Sequence, residues 1–117
     1  MSDRLQELFD RQKKLAANFI PIESISSEED RSKYLQTYWQ LLVEEAVEFL
    51  REIPSRKFWR ATSAGKKIDY DKLHEELSDI QHIVVALALI SGLDADSFFN
   101  EYVRKNDINL NRVAQKL

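Results

Sequence analysis

The chain is predicted to be all-α, a bundle of four main helices completed by dimerisation, and three observations carry that expectation. Two glycines and two prolines in 117 residues are too few for the turns of a β sandwich or barrel. Apolar residues recur at three- and four-residue steps, the period of a helix face. Cap and stop residues then divide the chain into four such stretches. With 44% hydrophobic and 32% charged residues, positions 1–117 read as one soluble domain with its own core.

In the first stretch Leu5, Leu8, Phe9, Gln12, Leu15, Ala16 and Phe19 share a face, and Pro21 follows. "SSEED" offers Ser26 as N-cap with Glu29 three positions on, a capping-box pattern. The second helix is expected from about Ser27 to Ile53, roughly 40 Å long. Its seam is Trp39, Leu42, Ala46, Phe49 and Ile53, and Pro54 ends it. "PSRKFWRATSAGKKIDY" has no helical pattern and reads as a basic, aromatic loop. Asp69 or Asp71 caps the third helix, with Leu73, Leu77, Ile80, Val84 and Leu87 as its seam and Gly92 as its stop. Asp94 opens a fourth helix with Phe98, Phe99, Tyr102 and Val103 inward and a bend near Asn106.

A net charge of −3 argues against nucleic acid as the main partner. The absence of cysteine excludes disulfides and thiolate metal sites. The charged start "MSDRLQELFDRQKK" has no apolar signal core. The longest oily run, "IVVALALI", falls well short of the roughly 20 residues that cross a bilayer. No membrane partner and a cytoplasmic location are therefore expected. That same run is apolar nearly all round, so a partner helix from a second copy is expected to cover it.

Carboxylates carry the chemistry. At 100° per residue, Glu76 lies between Leu73 and Ile80, where a leucine belongs, and Asp79 sits at the edge of that apolar sector. On the second helix Glu45 occupies the shoulder of the seam and Glu48 lies just beyond it. Acidic i, i+3 pairs are common on solvated helices, where Lys72 and Arg51 would screen them weakly. Two such pairs facing one space repel each other, and burial raises their pKa. A divalent cation removes the difficulty, and Mg²⁺ prefers hard oxygen ligands of this kind. Asp79-x-x-His82 also matches half of a di-iron motif, but the second helix has no histidine to complete it. His74 and His82 read as structural or surface residues.

The order "LLVEEAVEFLREI", "KFWR", "HEELSDIQHIV", "YVRKNDINLNR" resembles the all-α nucleoside triphosphate pyrophosphohydrolases, closest to the dimeric dUTPases, with the MazG proteins as cousins. The resemblance implies that Glu45, Glu48, Glu76 and Asp79 hold Mg²⁺, with Mn²⁺ as a substitute, against a triphosphate. It implies phosphate and sugar contacts from Lys105, Asn106, Asn109 and Arg112, and it matches Tyr102, Lys57 and Trp59 to family motifs. It also implies a homodimer, or two homodimers paired as a tetramer.

The family's Gln-x-x-Leu-Asn, which helps recognise uracil, is matched here at Gln12 and Leu15. Ala16 stands at the asparagine position, and Asn18 is the nearest asparagine. The expected reaction is Mg²⁺-dependent hydrolysis of a deoxynucleoside triphosphate, dUTP first, to monophosphate and pyrophosphate, with Glu48 orienting or deprotonating the water. A MazG-like enzyme acting on other canonical or damaged dNTPs is the alternative, and a non-catalytic helical dimerisation module is a third.

Overall fold

A computed structural model describes residues 3–20, 22–57, 59–60 and 65–116. It contains four α-helices: α1 (Arg4–Ala16), α2 (Glu28–Arg51), α3 (Tyr70–Ile90) and α4 (Ala95–Lys116). Short 3-10 turns follow α1 at Ile22–Ser24 and α2 at Pro54–Lys57, and no strand occurs among the described residues.

Each helix starts where a side chain satisfies an otherwise orphaned N–H. Asp3 accepts from the amide of Gln6, Ser27 from that of Asp30, and Asp69 from that of Lys72. The cap of α2 is therefore Ser27, one residue later than the expected Ser26. Asp94 and Ser97 exchange hydrogen bonds at the start of α4, where the Asp94 carboxylate accepts from the Ser97 amide at 2.8 Å. Gly92, at φ 94°, lets the chain leave α3 through a left-handed turn that other residues resist.

α2 and α3 pack antiparallel: the Arg31 guanidinium near the start of α2 donates to the Ile90 carbonyl at the end of α3. The stripe of α2 turned inward runs through Tyr34, Leu35, Tyr38, Leu42, Glu45 and Phe49. This is a small rotation from the expected seam. Trp39 is 59% exposed and Ala46 is exposed, while Glu45 moves from the shoulder into the packed stripe. On α3 the half-buried row is Leu73, Glu76, Ile80, Ile83 and Leu87, so Glu76 does replace an apolar residue. Leu77 and Val84, expected in that seam, face outward.

α1 lies across α3, and the core is small: Phe9, Val85, Ala88 and Ala95, flanked by Leu5, Leu89, Leu93 and Phe98. Phe9 meets Phe98 with ring centroids 5.3 Å apart. The fourth helix departs from expectation. It is continuous through Asn106, and only Phe98 of its four aromatic and aliphatic residues turns inward. Phe99 and Tyr102 are 55% and 67% exposed, because α4 turns 103° from α3 and leaves the bundle after its first turns. The radius of gyration, 17.9 Å, shows the result. A compact chain of this length would have about 13 Å.

Phe9 supplies the largest buried side chain of this core along with Ile90. Phe9→Ala is expected to lower stability by about 3 kcal/mol through lost burial and the cavity left behind. Urea unfolding followed by circular dichroism measures it, and a loss under about 1 kcal/mol would contradict the packing described.

Candidate active site

Antiparallel packing of α2 on α3 sets one acid of each helix face to face. Carboxylate oxygens of Glu45, Glu76 and Asp79 lie within 4.8 Å of one another, with Glu45 and Glu76 half-buried and Asp79 exposed. Glu48, one turn beyond Glu45, is exposed and sits 3.9 Å from Arg51. Among the described residues that is the one ion pair made by these four acids.

Partial burial pushes the Glu76 carboxyl up from its ordinary value of 4.5. The neighbouring charges of Glu45, Asp79 and Glu48, and a hydrogen bond shared with Glu45, push the same way. Like charges are thus crowded at this point of the seam. Three convergent carboxylates also fit a hard divalent cation, which neutralises all of them at once. The four acids of the expected ligand set are therefore neighbours, three in a tight cluster and Glu48 at its rim.

A cavity of about 590 Å³ opens beside the acids, within the roughly 300–1,000 Å³ typical of small-molecule sites. Glu45 and Asp79 form one side of it, and Leu15, Phe19, Leu41 and Ile83 supply apolar wall. Gln12 also lines the cavity and is only 6% exposed. Its Oε1 has no hydrogen-bond partner. A buried amide oxygen left unpaired costs about 1–3 kcal/mol, and this group can accept a hydrogen bond. Ala16, 1% exposed, lines the same cavity and offers no polar group. Asn18 does not replace it, because its amide nitrogen donates to the carbonyls of Lys14 and Leu15 at the end of α1.

Ile20, Thr37 and Tyr38 line the cavity without having been singled out in the sequence, and His82, expected to be a structural or surface residue, lines it as well. Tyr38 lies seven positions before Glu45 and His82 three after Asp79, so each shares a helix face with an acid. That spacing was the available signal. The nitrogen Nδ1 of His82 is 2.7 Å from the Ser78 carbonyl; donating there leaves Nε2 as an acceptor.

The remaining expected contacts are not gathered here. Lys57 is half-buried in the turn after α2 and Trp59 is 67% exposed, and neither lines the cavity. Tyr102, Lys105, Asn106, Asn109 and Arg112 are exposed along α4, and none of them lines it either. Phe58 of the "KFWR" motif and positions 61–64 of the same loop lie outside the described residues. Among the described residues no single helix is long and apolar enough to cross a membrane.

A carboxyl whose value is raised on folding holds its proton more tightly folded than unfolded. Without divalent cations, stability should therefore fall as pH climbs from 4.5 through the raised value of Glu76. Glu76→Gln should flatten that fall. Urea midpoints between roughly pH 4 and pH 7 in chelator measure it, and an unchanged slope in the variant would rule out Glu76 as the source.

Comparison with known families gives one match. A family model described as dUTPase matches residues 4–93, which include α1 and the helices that carry all four acids. No curated protein matches the chain, and no solved structure matches it.

Proposed function

Because the chain belongs to the dUTPase family, we propose that it is a Mg²⁺-dependent nucleoside triphosphate pyrophosphohydrolase that converts dUTP and water to dUMP and pyrophosphate. Membership implies a hydrolase with a nucleotide substrate. The observation that carries the rest is the junction of an acid cluster with a cavity whose wall holds an unpaired amide oxygen.

Glu45, Glu76 and Asp79, with Glu48 at the rim, would hold the cation. Bound there, Mg²⁺ supplies charge neutralisation for the triphosphate and acidity to a coordinated water; Mn²⁺ serves as a substitute. The chain's own groups do the rest. Gln12 Oε1 accepts a hydrogen bond from the base, which uracil offers at its ring N–H. Leu15, Leu41 and Ile83 exclude water around it. Glu48, more exposed than Glu45 and held loosely by Arg51, orients the attacking water and takes its proton.

Glu48→Gln should lower kcat by about 10² to 10⁴ while Mg²⁺–nucleotide binding persists, the signature of a lost base rather than a lost ligand. Single-turnover kinetics and calorimetry separate the two. Parental turnover in the variant removes Glu48 from that role.

One observation favours a second reading, in which other canonical or damaged dNTPs are hydrolysed in the manner of MazG proteins. Ala16 leaves its part of the cavity wall without a hydrogen-bonding group, and Asn18 is committed to backbone. A substrate panel of dUTP, dCTP, dATP, dTTP and 8-oxo-dGTP decides between them. On the dUTP reading, Ala16→Asn sharpens preference for dUTP by about tenfold, the worth of one good hydrogen bond. A non-hydrolysable dUTP analogue with Mg²⁺ at 100 times its dissociation constant should add about 2.7 kcal/mol of stability. No such gain, with no turnover, would instead mark a non-catalytic helical module.

The protein acts as a homodimer in this proposal, or as two homodimers paired. Exposed Trp39, Leu77, Val84, Phe99, Leu110 and Val113 support that, as does the open radius of gyration.

A further inference from the structure

Uracil asks more of a cavity than one acceptor. Its ring N–H sits between two carbonyl oxygens, so a wall that reads it needs a donor beside Gln12 Oε1. Ala16 supplies none. Most other polar side chains of the wall are engaged elsewhere. Thr37 donates its hydroxyl to the Lys33 carbonyl at 3.0 Å, and His82 meets the Ser78 carbonyl through Nδ1, leaving an acceptor at Nε2. Glu45 and Asp79 belong to the acid cluster. Apart from the Gln12 amide itself, the Tyr38 hydroxyl is the donor that remains among the described lining residues.

Tyr38 is half-buried on the inward stripe of α2. Its hydroxyl makes no hydrogen bond to a described residue, and burial pushes the phenol up from its ordinary value of 10.0, so it keeps its proton. Its height in the cavity is set by the helix. Tyr38 precedes Glu45 by seven residues and Ile83 follows Glu76 by seven. On antiparallel helices both steps run the same way, two turns or about 10 Å from the acids. His82 lies next to Ile83 at that level, and with Gln12 it also borders a smaller cavity of about 190 Å³, which brings Gln12 to the same height. A nucleotide gripped by its phosphates at the acids holds its base one sugar away, toward this end. Oxygen O4, across the ring from the glycosidic nitrogen, is the base atom farthest from the phosphates.

We propose that Tyr38 is a specificity-determining residue whose hydroxyl donates to O4 of uracil while Gln12 Oε1 accepts from the adjacent N–H. Cytosine presents an amine and a bare ring nitrogen at these two points, the reverse of uracil. A hydroxyl turned to accept from that amine still leaves Gln12 Oε1 facing the lone pair of the ring nitrogen. Tyr38 thus supplies from α2 the polar group that Ala16 does not supply from α1. This assignment rests on the dUTP reading of the site.

Tyr38→Phe removes the hydroxyl and keeps the ring. Its kcat/KM for dUTP should fall about tenfold, mostly through KM, while that for dCTP changes far less. An unchanged dUTP-to-dCTP ratio overturns the proposal.

A second measurement needs no catalysis. Sulfur at position 4 of α,β-imido-dUTP is a weaker acceptor than oxygen and leaves the ring N–H in place. By calorimetry with Mg²⁺, the parent should bind the sulfur analogue about tenfold more weakly than the oxygen one, and Tyr38→Phe should hardly distinguish them. Equal losses in the two proteins overturn the assignment, as does a parent that tells the analogues apart no better than the variant or binds neither. A protein that shows this coupling yet turns over no nucleotide sinks only the enzymatic reading.

Discussion

Electrostatic crowding at the seam of α2 and α3 is the constraint on which the structure turns. Glu45 and Glu76 occupy positions that packing would assign to apolar side chains, and Asp79 brings a third oxygen within 4.8 Å. A fold optimised for stability alone would place leucine at both. The protein instead keeps a destabilised patch in the middle of its largest helix–helix contact, where a bound cation would reverse the sign of the interaction. On the proposed function, activity and marginal stability share one location.

The rest of the architecture follows as support for that patch. α1 contributes little to the seam itself, but its C-terminal half closes the cavity beside it, bringing Gln12 and Ala16 to the acids. The ion pair of Lys13 with Glu23, 2.8 Å apart, ties the turn after α1 back onto that helix. Its worth is small because both groups are solvated. Phe9 against Phe98 anchors the opposite end of α1 and fixes where α4 begins. From there α4 has few neighbours, and a chain of this length should not leave five large apolar side chains in water along one helix.

Much of this was legible in the residues. Helix number, the caps at Asp69 and Gly92, and the anomalous placement of Glu76 all followed from 3.6-residue periodicity. The rotation of α2 was not. Trp39 and Ala46 satisfy a helical seam as well as Tyr38 and Glu45 do, and periodicity has no preference between stripes one residue apart. Apolar burial decided it: Tyr34, Leu35, Tyr38, Leu42 and Phe49 turn inward, and Glu45 is carried with them to face Glu76. The inward placement of Phe99 and Tyr102 failed for another reason. Apolar spacing shows that a face wants cover, without saying whether the same chain provides it. Thr37 and Tyr38 went unnoticed, and His82 was given a structural or surface role, because a cavity wall belongs to three helices at once and no local pattern encodes it.

The Arg31 guanidinium on the Ile90 carbonyl carries one further meaning. It joins the two long helices fourteen residues, about 21 Å, from Glu45 on one and from Glu76 on the other. Equal separations along two antiparallel helices define a single register, so the contact that holds Arg31 to Ile90 also keeps Glu45 opposite Glu76. A slip of one helical turn would part the acids while leaving every carboxylate in place on its own helix.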